Sequence, residues 1–284
     1  MRLRLAFVLT IAFVAGCGGA TSDEPAFEGV PLERRDPGPI HVHGLGIDPA
    51  DGSLFIATHT GLYRTAPGNR RARLVGDNRQ DTMGFSVAGP NRFLGSGHPD
   101  LRADLPPLLG LIESKDAGKT WKPISLLGKA DFHVLRSAGN VVYGFDAGNE
   151  RLLVSSDRGR TWATRNAPEP ILDLAARPGR PATAIASGSV LYGTNDGGKR
   201  WSVLGGEAGY LAWPRPDRLF QLTGSGGVQL SSDGGETWRP LGSIDGEPAA
   251  FLAVSPTELY AALHNGTVKV SRDAGRNWSI RSRP

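Results

Sequence analysis

Cysteine is almost missing from this chain. Among 284 residues there is one, Cys17, so no disulfide can form within a single copy. Methionine is nearly as scarce, and Met83 is the only one after Met1. A long apolar run is also lacking. Residues 5–16 come nearest and are too short to span a bilayer as a helix. No charge of one sign dominates: 32 Lys and Arg, two of them within residues 1–16, stand against 28 Asp and Glu. That balance excludes the basic footprint of a nucleic-acid binder. No P-loop, G-x-S-x-G, H-E-x-x-H or dinucleotide fingerprint occurs, so the chemistries those motifs carry have no foothold here.

Glycine and proline are plentiful instead, with 39 and 21 residues, as suits a turn-rich all-β chain. The chain also repeats itself. Ser231-Ser232-Asp233-Gly234-Gly235-Glu236-Thr237-Trp238 has close copies ending at Trp121 and Trp162 and looser ones ending at Trp201 and Trp278. The spacings are 41, 39, 37 and 40 residues, the mark of an array of one supersecondary unit. Each copy reads as a self-fastened turn between two strands. The Ser or Thr and the Asp (Asp116, Asp157, Asp196, Asp233, Asp273) accept backbone N–H groups, the Gly allows positive φ, and the Trp buries an apolar face. The pattern S-x-D-x-G-x-T-W resembles the Asp-box (BNR) repeat of sialidases, sortilin-like receptors and photosystem II assembly propellers. The resemblance covers residues 40–284.

Short apolar and β-branched runs between Gly/Pro/Asp turns divide that stretch into six units, each of strands A, B, C, box and strand D. In the first unit A is 41–47, B 54–58, C 62–64 and D 73–75, with Ala66-Pro67-Gly68-Asn69 as a decayed box. Four antiparallel strands in each of six units predict an all-β, six-bladed β-propeller with boxes in the C–D turns. One connection is long: residues 97–107, between B and C of the second unit.

The amino terminus carries an address. Met1-Arg2-Leu3-Arg4 is a basic n-region, and Val14-Ala15-Gly16-Cys17 resembles a bacterial lipobox. The resemblance implies cleavage of a signal peptide (1–16), lipidation of Cys17 and a lipidated tether (17–39), hence an exported envelope protein held to a membrane.

Six histidines are the candidates for chemistry. His41, His43 and His133 begin A strands, whereas His59, His98 and His264 end B strands or follow them. A and B run antiparallel, so all six fall on one face of the disc and the boxes on the other. Aligning the A strands puts His43, Met83 and His133 at one height, opposite Leu172, Gly209 and Ala250 in the other blades. His41, Asp81 and Asp131 stand two residues earlier. Thioether with imidazole suits copper, Cu(I) above all, and imidazole with carboxylate suits zinc or Cu(II). The bland alternative is that these side chains only pack the blades.

His41-Val42-His43-Gly44-Leu45 and Ala57-Thr58-His59-Thr60-Gly61-Leu62 resemble a bacterial envelope lipoprotein subgroup named glycosyl-hydrolase-like. The sialidase resemblance implies an active site on the same face, with three arginines, a Tyr–Glu pair and an Asp. Arg79, Arg102, Tyr210, Glu207, Asp81 and Asp131 lie at that edge, but the F/Y-R-I-P motif is absent. Three readings stand: a binder of a metal ion, glycan or envelope protein; a sialidase-like glycoside hydrolase; and an assembly scaffold. The anchor reading has its own test. Cys17→Ser is expected to shift the protein from the membrane to the soluble fraction. Mass spectrometry of the mature amino terminus should find Cys17 acylated, and an unmodified chain starting elsewhere would refute it.

Overall fold

Runs such as Leu54–Thr58 and Leu259–Leu263 are buried along their whole length, as strands covered on both faces must be. A computed structural model describes residues 38–284; the signal-peptide, Cys17 and most tether readings lie outside the described residues. The strands pair in chain order into six four-stranded antiparallel sheets, which are the blades of a propeller. The innermost A strands are Val42–Ile47, Asp81–Gly89, Phe132–Ala138, Asp173–Arg177, Gly209–Arg215 and Pro248–Ala253. Each packs beside its neighbours, and the first closes on the sixth. Among the described residues the one helical element is a 3-10 turn, Ala147–Asn149.

The core lies between blades. Each of six apolar clusters draws on two adjacent blades: Leu45, Ile56 and Tyr63 meet Ala250, Tyr260 and Val270, for example. Another seam joins Phe55 of blade 1 to Phe85 and Phe93 of blade 2, with Phe55 and Phe93 edge to face at 4.7 Å. All six seams are therefore hydrophobic, and burial there is what holds the ring.

The boxes form the C–D turns. In the first, Ser114 Oγ accepts the Gly118 N–H at 2.8 Å and donates to Asp116 Oδ1 at 2.8 Å. Asp116 then accepts the Thr120 N–H at 2.9 Å and the Thr120 hydroxyl at 2.7 Å. The pattern recurs at Asp157, Asp196, Asp233 and Asp273, with Arg200 and Asn277 standing in for Thr. Backbone N–H donors hold the Asp196 and Asp273 carboxyls down at about 2. The tryptophans are half-buried and sit just before strand D rather than within it.

The box glycine also sets the distance between blades. Gly159 has φ +84°, and a Cβ on it would lie 2.0 Å from Leu111 Cδ2 of the preceding blade. Gly118 stands likewise against Leu62, and Gly275 against Val228. Blade 1 lacks a box, and its outer strand shrinks to Arg73–Leu74.

Among the described residues, closure uses no exchanged strand. Strand D of blade 6, Ser279–Ser282, reaches across instead. Arg281 donates to the carbonyls of Asn69, Thr65 and Ala66 at 2.8, 3.1 and 3.2 Å, and the Ser282 and Thr65 hydroxyls are 3.1 Å apart. Two substitutions separate conformational strain from seam packing. Gly139 also has positive φ, but nothing lies within 4 Å of its missing Cβ. Gly139→Ala is expected to cost about 1–2 kcal/mol for the left-handed backbone alone. Gly159→Ala should add about 1–3 kcal/mol of overpacking. Urea midpoints at constant m-value measure the difference, and equal losses would remove the seam role.

Candidate functional site

A β-bulge shapes the start of strand A in four blades. Val42 pairs with Thr58 and Gly44 with Ala57, so His43 is the extra residue. Met83 is the extra residue between Thr82 and Gly84, and His133 between Phe132 and Val134. In blade 6 it is Ala249, one position before the Ala250 that sequence alignment picks. In blades 4 and 5 the first A-strand residues pair without a shift, so Leu172 and Gly209 are not equivalents of His43. A bulge adds twist and re-aims the side chain it carries. Residue 41 shares in this: His41 has φ 51°, a left-handed value uncommon outside glycine.

The bulges bring imidazoles and carboxylates together across blades 1, 2 and 3. Asp81 is the hub. Its Oδ1 lies 2.9 Å from His59 Nδ1 and 3.9 Å from His43 Nε2, and its Oδ2 lies 3.3 Å from His98 Nδ1. Asp131 Oδ2 lies 3.5 Å from His98 Nε2 and 2.8 Å from His133 Nε2. The His43 and His59 rings meet edge to face at 4.3 Å, with the His41 ring 5.2 Å from His59. One donor atom each of His43, His59 and Asp81 falls within a 4.8 Å group. The His59–Asp81 contact has the length of a hydrogen bond without its alignment. Among the described residues, His43 Nε2, Asp81 Oδ1 and Asp131 Oδ1 are buried and have no hydrogen-bond partner. Buried polar atoms are nearly always paired, so three orphans in one cluster call for an explanation.

Met83 shares the bulge position but does not line the channel. The ion pairs that join His43, His59, His98 and His133 do not extend to His264, which follows strand B of blade 6; its backbone N–H donates to Glu247 O at 3.3 Å. Alignment of sequence repeats passed over Asp81 as hub, and its place before a bulge was the available signal.

Below this mouth runs the central channel, a cavity of about 580 Å³. His43 and His133 line it, with Arg136, Asp173 and Tyr210 the other ionisable groups. Asp173 is fully buried and its carboxyl is pushed up by desolvation, against which Arg136 at 2.5 Å and the Leu211 and Leu174 N–H groups act. One arginine and one carboxylate do not make the three-arginine site or paired carboxylates of a glycosidase. Arg102 is engaged elsewhere, with Asp100 on the exposed loop of blade 2. Leu101 and Leu105 of that loop are exposed.

No protein-family model matches the chain, and no curated protein does. Solved structures do. YCF48 from Cyanidioschyzon merolae has a TM-score of 0.52 at 14% identity, over 87% of this chain and 86% of its own. YCF48 bound to D1 peptide has a TM-score of 0.53 at 18% identity, over 86% and 83%. The GH74 enzyme of Niastella koreensis has a TM-score of 0.62 at 15% identity, over 86% of this chain. The likeness is one of fold. The chain spans 45% of the length of the Niastella enzyme, less than half.

Two histidines of the site titrate in opposite senses. Desolvation lowers His43 to about 4, helped by repulsion from His59 and opposed by Asp81. Its protonation therefore favours the unfolded chain, and its contribution to stability is lost as pH falls from about 6.5 toward 4. His133 is raised, chiefly by its hydrogen bond to Asp131, so its contribution is present below 6.5 and lost as pH rises through its folded value. NMR titration of the ring resonances is expected to find His43 the later to protonate on acidification. The reverse order would contradict the burial of His43.

Proposed function

We propose that this chain is an exported, lipid-anchored envelope protein whose propeller binds a divalent transition-metal ion at the histidine face. The observation that carries the reading is the convergence of one donor atom each of His43, His59 and Asp81 within 4.8 Å, at a place where His43 Nε2 and Asp81 Oδ1 are buried without hydrogen-bond partners. Donors held 2.0–2.2 Å from one ion lie at most about 4 Å apart, so small rotations suffice. Two imidazoles and a carboxylate are a donor set that suits zinc or Cu(II). The basic n-region and the Val14–Cys17 motif support export and anchoring.

A second reading is binding of a peptide or protein partner. YCF48, whose fold is similar, is known bound to D1 peptide, and Leu101 and Leu105 offer apolar contacts beside the histidines here. A glycoside hydrolase, suggested by the GH74 likeness and the sialidase-like boxes, lacks paired carboxylates in the channel.

Chelator-treated protein titrated with Zn(II) or Cu(II) is expected to take up ion through these residues. An ion at one hundred times its Kd should stabilise the fold by about 2.7 kcal/mol. The His43→Ala/His59→Ala double variant should lose both uptake and stabilisation while remaining folded, whereas Met83→Leu should keep them. Undiminished uptake by the folded double variant would leave the peptide-binding reading in its place.

A further inference from the structure

This inference rests on the metal reading and extends it. Three protein donors leave a four-coordinate ion with one position to fill. The geometry points to His98 as the fourth ligand, held in its ligating orientation by Asp131. His98 ends strand B of blade 2, Arg92–His98. Its Nδ1 faces Asp81 Oδ2 at 3.3 Å, so it addresses the same carboxylate that meets His43 and His59 through the other oxygen. Its Nε2 points the other way, 3.5 Å from Asp131 Oδ2.

That second contact is what a ligating histidine needs. A carboxylate that accepts the remote ring N–H fixes the tautomer, orients the ring and raises its basicity. Asp131 is itself well fixed. It is 7% exposed, its N–H donates to Asp146 Oδ1 at 3.1 Å, and His133 Nε2 lies 2.8 Å from its Oδ2. Its Oδ1 is buried without a hydrogen-bond partner, free to take a stronger share of the His98 N–H when the ring turns.

The 4.8 Å group does not include His98, so the ring has to close on the His43 and His59 donors by side-chain rotation. A side chain 42% exposed has room to do so. The result is a three-imidazole, one-carboxylate sphere: His43 and His59 from blade 1, Asp81 and His98 from blade 2, with the supporting carboxylate from blade 3. A closed sphere of that kind suits binding and storage of zinc better than catalysis, which keeps a position open.

The test uses the full chain loaded with Zn(II), and with Co(II) as a visible probe of coordination. Wild type is expected to show the intense visible bands of tetrahedral Co(II). His98→Ala should weaken them several-fold and lower Zn(II) affinity. Asp131→Asn should cost about 10- to 100-fold in affinity. Long-range proton–nitrogen NMR of the Zn-loaded wild type should find His98 bound through Nδ1 and protonated at Nε2. If His43→Ala and His59→Ala abolish binding while His98→Ala leaves affinity and spectrum unchanged, the fourth ligand is wrong and the metal site stands. If wild type itself binds neither ion, both readings fall together.

Discussion

Three of the seams turn on a glycine with positive φ seated tightly against the blade before it. The Ser and Asp of the box lock the turn from within, and the missing Cβ lets that turn press on Leu62, Leu111 or Val228. The approach sets how closely those blades stand, and six blades close the ring. The apolar clusters then fill the space the turns leave. Where the box has decayed, in blade 1, the outer strand is two residues long and closure passes to Arg281.

The other face obeys a different constraint. There one additional residue in the A strands of blades 1, 2 and 3 breaks the pairing and turns a side chain that regular alternation would give to the blade core. The cost is visible in the orphaned atoms of His43, Asp81 and Asp131, each of which forfeits about 1–3 kcal/mol without a partner. A fold that carries such a deficit at one spot gains most from whatever ligand satisfies it.

The box repeat, the blade count and the gathering of histidines on one face were legible in the sequence because each depends on local spacing and antiparallel succession. The hub was not. Asp81 meets histidines of its own and a neighbouring blade only because bulges shift the register, and a bulge has no composition of its own. The same shift explains why Ala249, not Ala250, matches His43. Asp131 was legible as a carboxylate two residues before His133, but its contact with His98 of the neighbouring blade was not.

Closure by side chains rather than by a shared strand has a kinetic meaning. Among the described residues no sheet spans two blades, and blades 6 and 1, which unlike the other neighbours are not consecutive in the chain, share only the Arg71–Arg283 bridge, so that seam can part without breaking a sheet. Native-state opening will start there, and amide protons of the short Arg73–Leu74 strand will exchange before those of Leu54–Thr58 beside it. The histidine cluster begins in that same first blade. Anything that cross-links it to blades 2 and 3 would hold the loose end of the ring, and its release would free it.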